Sequence, residues 1–329
     1  MRHSGIHFGC VAIESLLSSA SSYGRFEMAT TVAQSRRYGC RWSAKSIYVL
    51  LPTILTVLIV VYGYIGWTTI ISLTSSKFVI RYDFVGLSGY ARLWRTDRWL
   101  TAVSNLWVFS ALFIGLSVVI GLLLAILLDQ KVRCENLIRG VYLYPMAISF
   151  IVTGIAWKWL LNPSFGIEKV VREMGFPNFH FDWLGDPKMA IFTIVIAAFW
   201  QSSGFIMAIF LAGLRGVDAE LFKAARLDGA GLPRVYWSIV VPMLRPVFFS
   251  VIVILLYQAL RSFDLIVALT NGGPGFSSDL PTTFMYQYTF GRGQLAQGAA
   301  SAVMITMTVV AVIVPYLYSE NRHERRHSH

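Results

Sequence analysis

What most constrains this chain is a series of apolar runs, each near or above the roughly 20 residues that an α-helix needs to cross the hydrocarbon core of a bilayer. They predict six spans, at about 47–71, 102–128, 141–161, 190–214, 247–270 and 299–318. A backbone in lipid has to satisfy its own hydrogen bonds, so each span is expected to be helical and the fold class all-α and integral to a membrane. With 56% hydrophobic and 14% charged residues, little is left over for a soluble domain between the runs.

The spans divide the chain. Residues 1–45 are polar and irregular, with Ser pairs and the cluster Arg36, Arg37 and Arg41, and are expected to form a disordered cytoplasmic tail, with Met28 as an alternative start. Residues 46–318 form the six-helix domain, with a long polar loop at 215–245, and 319–329 form a second, His-rich cytoplasmic tail. Seventeen of the 28 Lys and Arg residues fall in the two tails and the loops at 129–140 and 215–245, against nine in the three connections on the other side. By the positive-inside rule both termini and the 215–245 loop are cytoplasmic, which accounts for the net charge of +11 without nucleic acid. The segment 77–98 is more basic than an outer connection usually is.

No GxxxxGK[ST], HExxH, GxSxG or CxxC pattern occurs, so no catalytic site is expected in the chain itself. Cys10, Cys40 and Cys134 lack metal-ligand spacing, and no metal site is expected.

The 215–245 loop sits between two long apolar runs and is a segment that a membrane span could not hold. Asp218 suits an N-cap, with Glu220 in the first turn of a short helix. Leu221, Ala224, Ala225 and Asp228 fall on one stripe of mostly small side chains, open to the approach of another protein. Asp228-Gly229 ends the helix, Pro233 suits the start of a second one, and Pro242 is expected to break or kink the chain as it re-enters the membrane.

The run Ala224, Ala225, Asp228, Gly229 and Ala230, followed by Tyr236-Trp237, Ile239 and Pro242, resembles the EAA loop of ATP-binding-cassette (ABC) importer permeases. Lys223 stands where that family usually has Glu, and Glu220, one turn earlier, is the candidate to replace it. The stretches 157–166 and 262–275, the latter with Asn271-Gly272-Gly273-Pro274-Gly275, are similar to the outer turns of sugar-type permeases. The resemblance implies a type I importer permease fold and a coupling helix, with Glu220, Lys223, Ala224, Ala225, Asp228, Gly229, Ala230 and Pro242 at the contact with a separate ATPase. It further implies a second, related permease in a heterodimer, two copies of a cytoplasmic ATPase that bind ATP and Mg2+, and an external solute-binding protein that delivers a sugar. This chain would then hold no cofactor and sit in a bacterial inner membrane.

Amide and hydroxyl groups beside aromatic rings suit a sugar, so Trp200, Gln201, Ser202, Tyr257 and Gln258 are candidate path residues, with helix packing as the competing role. Arg261 and Asp264, three apart, are expected to share a helix face and pair within the membrane, or to line the path. A polyol or an anionic sugar derivative are alternative substrates. An ion-coupled secondary transporter needs paired membrane acids, and a lipid-modifying enzyme needs clustered acids or histidines; neither pattern occurs.

Overall fold

A computed structural model describes residues 44–130 and 134–327. Most of the expected N-terminal tail, with Cys10, Met28 and Cys40, lies outside the described residues. The chain divides into two compact units, Met1–Tyr64 and Ile65–His329, and the packing described below is internal to the second.

Among the described residues the regular structure is helical apart from one isolated antiparallel bridge, Thr74 to Phe84. Helix α1 (Ala44–Val57) passes through a widened π turn at Leu58–Tyr62 into α2 (Gly63–Ser72). After α3 (Ser88–Leu93) comes α4 (Asp97–Asp129), then α5 (Glu135–Leu143), α6 (Phe150–Leu160), α7 (Ile167–Glu173) and α8 (Ala190–Arg215). The polar segment contributes α9 (Ala219–Leu227), α10 (Leu232–Val235) and α11 (Val241–Met243). Four more complete the order: α12 (Arg245–Arg261), α13 (Asp264–Leu269), α14 (Pro281–Tyr286) and α15 (Leu295–His327). The last helix therefore continues past residue 318, where a polar tail was expected to begin.

Among the described residues four stretches are single helices long and apolar enough to cross a bilayer: Leu50–Ser72, Asp97–Asp129, Ala190–Arg215 and Leu295–Pro315. The other two expected spans are bent. Glu135–Ala147 meets Phe150–Leu160 at 100°, and Pro233–Met243 meets Arg245–Arg261 at 69°. The second bend falls at Leu244 and not at Pro242, which sits inside α11. The residue responsible is Pro246, which has no N–H to offer the Pro242 carbonyl and whose ring would crowd it.

α8 is the centre of the second unit. In lipid, apolar surface alone does not hold helices together, so close contact and a few hydrogen bonds must do so. Ile206, Met207 and Phe210 of α8 are fully buried in the same core as Phe109 and Phe113 of α4, whose rings stack at 5.5 Å. α8 also supports the 100° bend. A Cβ at Gly204 would overlap the Tyr142 carbonyl oxygen, so only glycine lets α8 lie against that backbone. One turn away, Gln201 Nε2 donates to the Ile148 carbonyl at 2.7 Å, capping an acceptor that the bend leaves outside any helix. At the other end of the bent span, a Cβ on Gly154 would come within 2.6 Å of Ala268 Cβ, so α6 and α13 cross in near contact.

Candidate functional site

The polar segment folds as its residues dictate. Asp218 Oδ1 accepts the Glu220 amide at 2.9 Å and caps α9, with Glu220 in the first turn. At the other end the Ala230 amide reaches back to the Ala225 carbonyl at 3.0 Å around Gly229, which has φ +75°. Nothing lies within 4 Å of a Cβ built on Gly229, so left-handed backbone and not space selects glycine there. The Gly231 carbonyl then accepts the Arg234 and Val235 amides and opens α10, with Pro233 in its first turn.

The faces of α9 differ from the expected stripe. Ala225 is buried in the main core and Phe222 packs beside it, because the larger aromatic ring takes the inward position and carries its neighbour with it. Glu220, Leu221, Lys223 and Asp228 are exposed, and the Ala224 side chain lies outside the described residues. Leu227 is 89% exposed and Trp237 73% exposed. Leu227, the more exposed of the two exposed leucines of α9, is the residue that sequence reasoning passed over.

The segment is wired to the ends of the long helices. Phe222 lies edge-on to Tyr236 at 5.9 Å, and the Tyr236 hydroxyl donates to Asp129 Oδ2 at 2.7 Å, at the last residue of α4. Arg215, the last residue of α8, pairs with Glu135, the first of α5. α9 is thus joined to α4 through the ring pair and the phenol, with Val235 and Val240 buried beside them.

The candidate path residues separate into two groups. Gln201 is occupied at the bend, and Ser202 Oγ donates to Gln258 Oε1 at 3.1 Å, bridging α8 to α12. Trp200 is half-exposed and meets Trp157 edge-on at 6.0 Å. Tyr257 and Arg261 instead line a groove of about 430 Å³ with Phe263, Thr282, Tyr286 and Thr306. Arg261 and Asp264 do not share a helix: α12 ends at Arg261 and α13 begins at Asp264. Among the described residues they form no ion pair, and the Arg261 Nη1 donates to the Tyr257 hydroxyl at 3.4 Å. Among the described residues no group of three His, Cys, Asp or Glu side chains is placed to hold a metal.

Residues 117–326 match the family of binding-protein-dependent transport system inner membrane components. The chain belongs to this family. A probable ABC transporter permease protein of Pyrococcus horikoshii is 38% identical over 282 residues, 85% of this chain and 97% of that one. The xylose/arabinose import permease protein of Haloferax volcanii is 38% identical over 264 residues, 79% of this chain and 83% of that one. The fold is shared with a crystal structure of a bacterial ABC transporter involved in the import of the acidic polysaccharide alginate. There the TM-score is 0.71 at 20% identity, over 84% of this chain and 94% of that one. The permease is thus a multi-pass membrane protein with the type I importer fold and not an enzyme, since ATP hydrolysis in such systems resides in a separate subunit. An ion-coupled secondary transporter is set aside.

Two further sets of tertiary contacts in the permease were not read from its sequence. The turn at 271–279 is built around Asp279, which is 1% exposed. Its Oδ2 accepts Arg98 Nε at 2.5 Å, and its Oδ1 accepts the Thr283 hydroxyl at 2.8 Å. Asn105 Nδ2 donates to the Ser277 and Asp279 carbonyls at 2.9 and 3.0 Å, fixing the same turn to α4. In the 162–189 connection, the Glu168 side chain is 3% exposed, pairs with Arg172 and accepts the Phe181 amide at 3.1 Å. Arg172 Nε also donates to the Phe179 carbonyl at 2.8 Å. These bonds hold Phe179, Phe181 and Trp183 in a stacked row, with Phe181 and Trp183 4.4 Å apart. Burial pushes the Glu168 pKa up, but the Phe181 amide, His180 and Arg172 outweigh it and hold the carboxyl below its ordinary value.

Proposed function

We propose that this permease imports a sugar handed over by an external binding protein and that the 218–242 segment is where a cytoplasmic ATPase docks. The observation that carries the docking is the exposed Leu227 on a helix whose opposite face is tied through Phe222 and Tyr236 to Asp129. A surface leucine gives a partner an apolar anchor, and the tie gives the partner's motion a lever on α4. Glu220, Lys223 and Asp228 supply a charged rim around Leu227, and Gly229 sets the angle at which α9 is presented.

In this account both termini are cytoplasmic, in keeping with the distribution of Lys and Arg. Two ATPase copies bind ATP and Mg2+ and close on the coupling segments of this chain and of a second, related permease. Closure moves α9, the Tyr236–Asp129 contact carries the displacement to α4, and the path opens toward the binding protein. The sugar class is supported by the xylose/arabinose import relative and by the Tyr257, Arg261 and Tyr286 groove, which offers ring faces and hydrogen-bonding groups together.

The test is ATPase activity of the complex in lipid, co-expressed with its partner subunits and challenged with binding proteins loaded with pentoses, hexoses, polyols or sugar acids. Stimulation by a sugar-loaded binding protein is the expected result. Stimulation only by a binding protein loaded with a non-carbohydrate would overturn the substrate class.

A further inference from the structure

We propose that a pocket at the α4 N-terminal end binds a phosphate group. The pocket, of about 320 Å³, is lined among others by Thr74, Ser75, Lys77, Ser88, Arg92 and Gln297. Its walls are preformed. Ser76 Oγ accepts the Arg81 amide at 3.1 Å and donates to the Arg81 carbonyl at 2.8 Å, closing the 76–81 turn. The Ala296 amide donates to the Ser76 carbonyl at 2.9 Å, and Gln297 Nε2 donates to Thr96 Oγ1 at 3.2 Å, so the start of α15 is stitched to the turn and to the α4 cap.

Residues that carry donors are prominent in the lining. Lys77 and Arg92 have no acidic partner among the described residues, and the Ser75 and Ser88 hydroxyls make no hydrogen bond there. No carboxylate lines the pocket. Two cations and two hydroxyls among the residues lining one cavity match a tetrahedral dianion or a phosphodiester, whose several oxygens each accept a charge-assisted hydrogen bond. This also gives a use to the basic segment 77–98, which the positive-inside rule leaves unexplained.

The surroundings favour a lipid headgroup as the source of the phosphate. α4 has 33 residues, and its last one, Asp129, holds Tyr236. At about 1.5 Å per residue, the pocket therefore lies roughly 50 Å from the coupling segment, at the opposite bilayer face. Around it, Val79, Tyr82, Phe84 and Leu87 are exposed, and Tyr82 meets Trp67 of α2 edge-on at 6.2 Å. Aromatic and aliphatic side chains beside Lys and Arg at the ends of spans are what an interfacial belt with anionic headgroups requires. Inorganic phosphate shares the recognising chemistry and is the other source to be distinguished.

The experiment uses the full-length permease with its partner subunits in a neutral maltoside detergent. Native mass spectrometry counts retained phosphatidylglycerol against a phosphate-free glycolipid, and calorimetry titrates inorganic phosphate into the lipid-depleted complex. Lys77→Gln/Arg92→Gln is expected to reduce retention or affinity by roughly tenfold or more, the loss of two charge-assisted contacts. Lys77→Arg/Arg92→Lys is expected to keep binding and controls for folding. Charge-dependent retention of phosphatidylglycerol assigns the lipid source, and charge-dependent binding of inorganic phosphate with no lipid preference assigns the free one. Equal phosphatidylglycerol retention by the wild type and the neutral variant, with no calorimetric binding of phosphate, would overturn the site.

Discussion

At the scale of single residues, two positions carry most of the consequence. Asp279 is buried with Arg98 over the Phe276 ring, and each charge is tolerated only because the other is 2.5 Å away. Asp279→Asn leaves the arginine unpaired and is expected to destabilise the permease by about 3–5 kcal/mol, read as a lower thermal midpoint in detergent. Arg98→Met/Asp279→Leu, which removes both charges, should recover most of that loss. Gly229 is constrained by its φ of +75° and not by neighbours. Gly229→Asn should therefore retain most ATP-driven uptake, because asparagine tolerates the left-handed region, whereas Gly229→Pro, with φ fixed near −65°, should abolish uptake without preventing membrane insertion. Transport assays in proteoliposomes, with insertion followed by protease protection, separate these outcomes. The glycine was legible in the sequence from the Asp-Gly pair after a helical run. Asp279 was not, because its partner lies 181 positions away and nothing local in either stretch signals the other.

At the scale of elements, the long apolar helices were legible by length, while the bends were not. A 100° turn inside residues 135–160 leaves hydropathy unchanged, and the residues that support it, Gly204 and Gln201, sit on a different helix. Proline did mark the other bend, but at Pro246 and not Pro242. The same limit explains why the sequence could not show that Gln201 Nε2 and Ser202 Oγ make contacts between elements, to the Ile148 carbonyl and to Gln258. The α7 clamp gives an element-scale prediction. The Glu168 carboxyl has a folded pKa below its unfolded one, so the ionised form favours the folded loop. That contribution is complete above the ordinary glutamate range of about 4.3 and is lost as pH falls through the lower folded value. Amide exchange at Phe181, corrected for its intrinsic pH dependence, should be flat from neutral pH to about pH 5 and should accelerate below the ordinary glutamate range. Glu168→Gln should remove the pH step and leave exchange raised throughout.

At the scale of the whole molecule, the permease is not an enzyme, and in the proposed function it converts a partner's motion into a path. The proposed coupling rests on the exposed Leu227, on the Tyr236–Asp129 tie to one end of α4, and on a largely apolar groove among α12, α14 and α15 that carries Tyr257 and Arg261. The loop that provides the anchor was visible in the sequence as the long polar interruption with a helix, a glycine and a second helix. Which of its side chains face outward was not, because helical spacing alone could not tell that Phe222 would turn inward and leave Leu227 outside. The most direct measurement is the ATPase stoichiometry of the full-length permease complex purified in lipid, compared between wild type and Leu227→Asp, with Leu227→Met as the conservative control. The account predicts two ATPase copies per permease pair for the wild type and Leu227→Met, and roughly tenfold or weaker retention for Leu227→Asp from placing a charge at the apolar anchor. Full retention by Leu227→Asp, or no ATPase bound to the wild-type complex, would contradict it.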